Sequence, residues 1–336
     1  MNAPIVLAAG GTGGHLFPAE ALARALLERQ CRVALVTDRR GQAFGDKLPD
    51  IELHRIRAGR FGAGLVSKVV AGAELALGTL EAHRLLRRLA PAAVVGFGGY
   101  PSVPPMLAAA RLGLPTLIHE QNAILGRANR LLAPRAKRIA TSFTEVGAVR
   151  NADRARIVET GNPVRPTIAA LRGAPYPMPS LEGPFEILII GGSQGARVLS
   201  EVVPAALAQL PEPLRSRLRL TQQARAEDID AVRRAHQASG VAAALATFFA
   251  DIPEREMTRC ARALEKAGGA WVMGQATITP AALGEKIMAL MTAPTLLADA
   301  AAKAHALGRP DAAWALADLV LSLARNGHPV PRKDAA

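Results

Sequence analysis

The sequence predicts an α/β protein with two domains, each built around a parallel β-sheet. Short apolar runs alternate with amphipathic stretches, which is typical of strands and helices in a parallel sheet covered on both faces. The chain has 336 residues, of which 50% are hydrophobic, and this length suggests two domains at roughly 100–200 residues each. The N-terminal segment PIVLAAGGTGGH is echoed by FEILIIGGSQGAR, so each domain is predicted to open with a strand and a glycine loop.

The first domain is predicted to span residues 1–162. Residues 4–10 form a predicted buried strand, and residues 18–30 a predicted helix, because the leucines of the second segment recur on one face. The same apolar signal predicts further strands at residues 31–37, 92–96, 115–119, 138–142 and 156–159.

A proline-rich linker is predicted at residues 163–184, where apolar runs are few. The second domain is then predicted to cover residues 185–336. Its tail from Thr279 onward is predicted to be helical, because Pro280 suits the first position of a helix. Residues 311–325 also show clear helical periodicity.

Composition and charge limit the classes of function. The formal net charge is +13, which favours an anionic partner such as a phosphorylated metabolite, a membrane surface or nucleic acid. Only 4% of the residues are aromatic, which argues against base stacking and so against nucleic acid. Two cysteines exclude a disulfide framework or a four-cysteine zinc site.

Two stretches bear on targeting and on membrane spanning. The N-terminus lacks the basic start of a signal peptide and reaches glycines within its first ten residues. The longest uncharged run, residues 89–110, is interrupted by several prolines and glycines. It is therefore predicted to form a strand, a loop and the start of a helix, and not a membrane-spanning helix. The protein is therefore expected to be soluble or peripheral, and cytoplasmic.

Three glycine loops are candidates for phosphate or diphosphate binding, at residues 10–15, 96–102 and 191–196. Glycine lets backbone amides approach an anion at the start of a helix. The alternative for each loop is a tight turn without a ligand. The dinucleotide fingerprint fails because Leu16 stands where its third glycine belongs, and no Gly-Lys-Ser/Thr of a Walker A loop occurs at these loops.

Two polar features follow predicted strands. His15 stands at the end of the first loop, where a histidine can act as a general base or contact phosphate; the alternative is a helix-start histidine without a role. The segment His119-Glu120-Gln121-Asn122 is predicted to face the crevice where parallel sheets bind ligands, and the alternative is an ordinary polar loop. No cluster has the spacing of metal ligands, so no protein-held metal or other cofactor is expected.

Residues 54–88 combine basic and apolar side chains. This mixture suits the face of an anionic membrane, with cations among the headgroups and apolar side chains at the acyl boundary. The alternative is a solvated basic helix face.

Five motifs recur in order along the chain: GGTGGHLFPAEALA, VVGFGGYPSVPP, HEQNAILGRANRLLA, GNPVR and GGSQGARVLSEVVP. Together they resemble the MurG family of glycosyltransferases. The resemblance covers most of residues 1–252 and then 261–325. It implies a GT-B fold, with two Rossmann-like domains facing a cleft. It also implies inverting transfer of GlcNAc from UDP-GlcNAc to undecaprenyl-diphospho-muramoylpentapeptide in peptidoglycan synthesis, without a metal, at the cytoplasmic face of the inner membrane.

The resemblance also implies site residues. Thr12, Gly13 and Gly14 match the family's glycine loop, and His15 matches a residue near its reacting centre. The family's contacts with the UDP-sugar correspond to Asn122, Arg165 and Ser193, with Phe249 on the uracil side.

The similarity is interrupted between Cys260 and Ala261, where about one β-α-β unit of the family's pattern is missing. In the family this unit holds the ribose and sugar of the donor. The interruption predicts a reduced C-terminal sheet, with residues 270–273 as a short strand. Two alternatives to the transferase therefore stay open: an inactive relative that retains lipid or membrane binding, and a GT-B transferase for another nucleotide sugar.

Overall fold

The computed structural model describes residues 3–10, 13–38, 51–59, 64–191, 196–247 and 264–326. The chain forms two compact units. The first combines Met1–Leu171 with Arg309–Ala336, and the second is Arg172–Gly308. Each unit contains a parallel sheet, so the predicted α/β class is confirmed.

The first unit has a seven-stranded parallel sheet. Its strands are β1 Ile5–Ala8, β2 Val33–Thr37, β3 Glu52–Arg55, β4 Ala93–Gly96, β5 Thr116–Glu120, β6 Arg138–Thr141 and β7 Ile157–Glu159. They lie in the order β3-β2-β1-β4-β5-β6-β7. The direction of winding therefore reverses between β1 and β4, the point at which such sheets bind ligands outside the carboxyl ends of their strands.

Helices cover both faces of this sheet. They are α1 Gly13–Glu28, α2 Leu65–Leu89, α3 Val103–Arg111, α4 Arg127–Leu132, the short α5 Pro166–Ala169, and a final α11 Ala312–Asn326. Leu7 of β1 packs in one core with Leu26 of α1 and Leu316 of α11. Val6, the next residue back along β1, faces the opposite core, which includes Leu86 of α2. This alternation follows from the two-residue period of a strand.

The final helix corrects the predicted domain 185–336. Helix α11 belongs to the first unit, because Leu316 and Val320 are fully buried against α1 and the sheet. The predicted linker 163–184 also differs, since it contains α5 and the boundary at Leu171. Helix α1 begins at Gly13 and so starts five residues before the predicted helix.

The second unit has a three-stranded parallel sheet among its described residues. Its strands are β8 Phe185–Ile189, β9 Leu218–Gln223 and β10 Ala242–Ala246, in the order β10-β9-β8. Its helices are α6 Arg197–Ala208, α7 Glu212–Arg215, α8 Ile229–Ser239, α9 Pro280–Thr292 and α10 Pro294–Leu307. Phe185 and Leu220 pack against Leu207 of α6 and Met291 of α9. On the opposite face of β8, Leu188 is 51% exposed.

The predicted strand at residues 270–273 is wrong, because this segment has no regular secondary structure. The interruption at Cys260 and Ala261 lies outside the described residues. Among the helices that the structure describes, none alone is long and apolar enough to cross a bilayer; Pro280–Thr292 and Pro294–Asn326 meet the criteria only together, as a bent pair.

Candidate active site

The candidate site lies in the first unit, at the carboxyl ends of β1, β4 and β5. The chain leaves β1 through Gly10 and enters α1 at Gly13, while β4 and β5 lead into two further loops. These loops meet at the point where the strand order reverses, as the rule for ligand binding in parallel sheets requires. The glycine loop after β1 and the loop after β4 therefore occupy the position that their sequences predicted.

Two glycines after β4 allow a close approach to His15. Gly98 and Gly99 have φ values of +86° and +72°, in the left-handed region. A Cβ atom at Gly98 would lie 3.2 Å from Cε1 of His15, and one at Gly99 would lie 3.1 Å from its Cδ2. Glycine therefore suits the left-handed backbone conformation, and a Cβ atom at either position would crowd the imidazole.

His15 begins a chain of hydrogen-bonded side chains. Its Nδ1 lies 3.2 Å from Oε1 of Gln121. The amide nitrogen of Gln121 lies 3.0 Å from Nδ1 of His119 and 3.1 Å from the carbonyl oxygen of Phe97. At the far end, Nε2 of His119 is 3.0 Å from the carbonyl oxygen of Gly161. The chain therefore connects the first turn of α1 with the segment after β7.

His119 is held neutral in this arrangement. It is fully buried, and this burial lowers its pKa to about 4 because the charged imidazolium loses its hydration. The hydrogen bond to the carbonyl oxygen of Gly161 raises the pKa of His119, but by less than burial lowers it. The charge of His15 makes a smaller contribution, which lowers the pKa further. At neutral pH only one of the two ring nitrogens of His119 carries a proton.

Glu120 organises the loop after β5. Its Oε1 accepts hydrogen bonds from the backbone and side-chain nitrogens of Asn122, at 3.0 and 2.9 Å. Its Oε2 accepts bonds from the backbone nitrogen of Gly126 at 2.8 Å and from Nδ2 of Asn129 at 2.9 Å. The carboxylate is 1% exposed, and these four bonds compensate for its burial. Glu120 is therefore positioned to hold the loop.

Asp38 and Tyr100 link the ends of β2 and β4. The hydroxyl of Tyr100 donates to Oδ2 of Asp38 over 2.6 Å, a distance typical of a charge-assisted hydrogen bond. Ser102 reinforces the same loop by donating from its hydroxyl to the carbonyl oxygen of Gly99, at 2.9 Å. The loop that carries Gly98 and Gly99 is thus fixed on both sides.

Five of the eight predicted site residues lie in described parts of the first unit. Gly13, Gly14 and His15 form the first turn of α1. Asn122 is 3% exposed in the loop after β5, and its Oδ1 has no hydrogen-bond partner within the described structure. The guanidinium of Arg165 lies 4.8 Å from the ring centroid of Phe17 of α1. Thr12, Ser193 and Phe249 lie outside the described residues.

The segment 119–122 was predicted to face the crevice. This prediction is wrong for the side chains of His119, Glu120 and Gln121. All three are at least 93% buried, because they bond to each other and to the neighbouring backbone. Asn129, which donates to both Glu120 and the carbonyl oxygen of His119, was not predicted. In the sequence, Asn129 is one more polar residue of a short polar segment. The structure shows that it lies on the buried face of the short helix α4.

Across the described ranges, no three His, Cys, Asp or Glu side chains converge as a metal site.

A separate groove lies between α2 and α3 of the first unit. Its volume is about 920 Å³, and apolar residues such as Leu75, Leu80 and Leu107 line it together with Arg111, Arg135 and Lys137. All three cations are exposed. Nearby on α2, the exposed fractions are 66% for Val69, 55% for Val70 and 44% for Leu77, and Leu80 itself is 55% exposed. The groove thus combines an apolar lining with a basic rim.

Residues 5–141 match the model of the glycosyltransferase family 28 N-terminal domain. The crystal structure of MurG from Acinetobacter baumannii is similar to this chain, with a TM-score of 0.71 and 27% identity over 95% of this chain and 99% of that one. The predicted GT-B fold is confirmed by this similarity.

Two relatives match at higher identity, and both are named UDP-N-acetylglucosamine–N-acetylmuramyl-(pentapeptide) pyrophosphoryl-undecaprenol N-acetylglucosamine transferase. The protein from Rhodospirillum centenum is 54% identical, over 97% of this chain and 96% of its own length. The one from Paramagnetospirillum magneticum is 49% identical, over 96% and 97%. For the first, 97% of 336 residues is about 326, so about 38 of the 364 aligned positions have no counterpart here. That these positions are missing between Cys260 and Ala261 stays a prediction. With this similarity over nearly its whole length, the chain belongs to the MurG family of glycosyltransferases.

Proposed function

We propose that this chain transfers N-acetylglucosamine from UDP-GlcNAc to undecaprenyl-diphospho-muramoylpentapeptide, with inversion at the anomeric carbon, as a step of peptidoglycan synthesis. The observation that carries the proposal is 54% identity, over 97% of the chain, to a relative whose name states this sugar and this acceptor. Inversion is what the family resemblance implies. The fold supports it, because the glycine loops and His15 lie where a parallel sheet of this order binds its ligands.

The reaction requires a proton acceptor and a stabilised leaving group. A hydroxyl oxygen of the acceptor sugar forms the bond to the anomeric carbon of the donor while the bond from that carbon to the diphosphate oxygen of UDP breaks. His15 is assigned to take the proton of the hydroxyl as general base. Backbone amides at the start of α1, including that of Gly14, are suited to anionic groups because the N-terminus of a helix carries partial positive charge.

The remaining site residues are proposed as substrate contacts. Within the first unit, Gly13 and Gly14 contribute backbone, Asn122 an amide and Arg165 a permanent positive charge suited to phosphate. Thr12, Ser193 and Phe249 are assigned by their match to the family motifs alone.

The groove between α2 and α3 is proposed as the membrane contact, at the cytoplasmic face of the inner membrane. Exposed Val69, Val70 and Leu80 would enter the acyl boundary, and Arg111 and Lys137 would meet anionic headgroups. A lipid-linked acceptor would then reach the enzyme from the surface to which it is bound.

Vesicle sedimentation tests this membrane contact. Leu80→Glu is expected to weaken binding to phosphatidylglycerol-containing vesicles at least about fivefold, the equivalent of ~1 kcal/mol. Leu307→Glu is the matched control, because Leu307 is 46% exposed but lies in the second unit. Equal binding by the two variants would contradict the proposed surface.

A second candidate function is a relative that binds membrane and acceptor but no longer transfers sugar. The missing positions in the alignment and the exposed Leu188 of the second sheet favour it. Calorimetry with UDP-GlcNAc and with UDP, followed by a transfer assay on the lipid-linked acceptor, separates the two candidates. Saturable binding of the donor with turnover supports the transferase. Vesicle binding by a folded chain that binds neither nucleotide would support the second candidate.

A further inference from the structure

The hydrogen-bonded chain from Gly161 to His15 has a fixed direction. A backbone carbonyl oxygen can only accept, so the contact of 3.0 Å between the oxygen of Gly161 and Nε2 of His119 requires a proton on Nε2. Because His119 is neutral at physiological pH, its Nδ1 carries a lone pair. The buried backbone therefore determines the tautomer of His119.

The orientation of Gln121 follows from that tautomer. Its amide nitrogen faces three acceptors, which are Nδ1 of His119 at 3.0 Å and the carbonyl oxygens of Phe97 and His119 at 3.1 and 3.3 Å. The reverse orientation would set the amide oxygen against these three acceptors. Oε1 must therefore point to the opposite side, where it lies 3.2 Å from Nδ1 of His15.

An amide oxygen cannot donate, so this contact requires a proton on Nδ1 of His15. The neutral imidazole of His15 then has its lone pair on Nε2. Gly98 and Gly99 lie beside this ring, since a Cβ atom at either position would come within 3.1–3.2 Å of a ring carbon.

We propose that Gln121 is a positioning residue, which holds His15 in the Nδ1–H tautomer and so makes Nε2 its proton-accepting atom. The assignment rests on the proposed function, because only a reaction that removes a proton uses this lone pair. Gln121 acts through His15, and His119 acts through Gln121. The catalytic effect of such an arrangement is large, since an imidazole held in the wrong tautomer cannot serve as the base.

The test uses the full wild-type chain labelled with ¹⁵N in its imidazole rings. Long-range ¹H–¹⁵N spectra at about pH 8 distinguish a protonated from an unprotonated ring nitrogen. Signals of His15 and His119 are assigned by their loss in His15→Asn and His119→Asn. The expected result is opposite tautomers, with the proton on Nδ1 of His15 and on Nε2 of His119. A proton on Nε2 of His15, or on Nδ1 of His119, would overturn the proposal.

Substitution of Gln121 separates positioning from a structural role. In Gln121→Met the acceptor for Nδ1–H is lost, so the His15 signal is expected to shift toward the Nε2–H form. In the same variant, kcat should fall at least about tenfold, within the range of general-base effects, with KM changed less than about twofold. Asn129→Ala is the matched control. It removes two buried hydrogen bonds of the same loop but none that involves Gln121, and the tautomer of His15 should stay as in the wild type. An unchanged His15 signal in Gln121→Met would contradict the assignment.

The spectra need no substrate, so the two proposals fail in different ways. A chain that transfers sugar while His15 carries its proton on Nε2 overturns the positioning role alone. A folded chain with the expected tautomers and no transfer overturns the proposed function, and with it the catalytic use of the lone pair.

Discussion

The two sheets of this chain differ in how completely they are covered. In the first unit, seven strands have helices on both faces, and Leu117 of β5 is fully buried. In the described part of the second unit, three strands pack on one face against α6 and α9, while Leu188 of β8 is half exposed on the other. Parallel sheets are normally buried on both faces.

The two units also differ in their part in the proposed activity. The proposed proton-accepting centre, with His15, Gln121 and His119, lies within the well-covered first unit. The second unit contains the Cys260–Ala261 junction, where the sequence predicts the loss of a segment that holds the donor in the family. We therefore expect changes in the first unit to have the larger effects on both stability and chemistry.

The largest expected effect is on the rate of transfer. His15→Asn should lower kcat by about 10²–10⁴-fold, because a general base typically contributes this much. His305→Asn is the control, since His305 is an exposed histidine of the second unit, with its Nε2 3.2 Å from the carbonyl oxygen of Arg172. Initial rates of sugar transfer measure both variants. Equal rates would remove His15 from the reaction.

Packing gives the next largest effect. Leu117→Ala should lower the free energy of unfolding by about 2–5 kcal/mol, as for other buried leucines, whereas Leu188→Ala should cost less than ~1 kcal/mol because its side chain is half exposed. The two tryptophans allow the units to be followed separately in urea, because Trp314 lies in the first and Trp271 in the second. Similar losses for the two variants would contradict the difference in coverage.

Acid should destabilise the first unit through His119. Its pKa of about 4 in the folded chain lies below the ordinary value of 6.5, so the unfolded chain binds the proton more readily. Stability from this group is therefore complete above about pH 6.5 and decreases as the pH falls toward 4, by up to ~3 kcal/mol. Unfolding followed by Trp314 at several pH values measures this slope. His119→Asn should flatten it, and an unchanged slope would contradict the assignment.

A glycine pair provides the smallest and most specific comparison. Gly98→Ala and Gly240→Ala both place a side chain at positive φ, at +86° and +70°, and each should cost about 1–2 kcal/mol of stability. The added Cβ at Gly98 would lie 3.2 Å from His15, whereas that at Gly240 would meet nothing within 4 Å. Only Gly98→Ala should therefore reduce transfer strongly, by about tenfold or more. Equal activity in the two variants would show that the imidazole tolerates displacement.

The fold was largely predictable because its strands are locally encoded. Six strands of the first sheet overlap predicted apolar runs, because strands of a parallel sheet covered on both faces are rich in apolar residues. Strand β3, Glu52–Arg55, was not predicted because its sequence ELHR is mostly polar and its four residues are only partly buried or exposed. The docking of α11 on α1 also depends on contacts between distant parts of the chain, which periodicity cannot reveal.

The sequence predicted where the site lies, but not which side chains contact each other within it. The loops after β1 and β4, and His15, were identified because their residue types follow strand ends, whereas most of the third glycine loop, residues 191–196, lies outside the described residues. The partner of His15 is 106 residues away in sequence, and no local pattern links His15 to Gln121. The burial of Glu120 was also hidden, because a carboxylate that receives four hydrogen bonds looks in sequence like one that faces solvent.

The most direct test is the transfer reaction itself. The purified full chain is mixed with radiolabelled UDP-GlcNAc and the lipid-linked muramoyl-pentapeptide in anionic vesicles, and label in the lipid fraction is measured over time. Repeated turnover that depends on His15 and on the acceptor is the expected result. A folded chain that binds the vesicles but leaves all label in the water-soluble donor would contradict it.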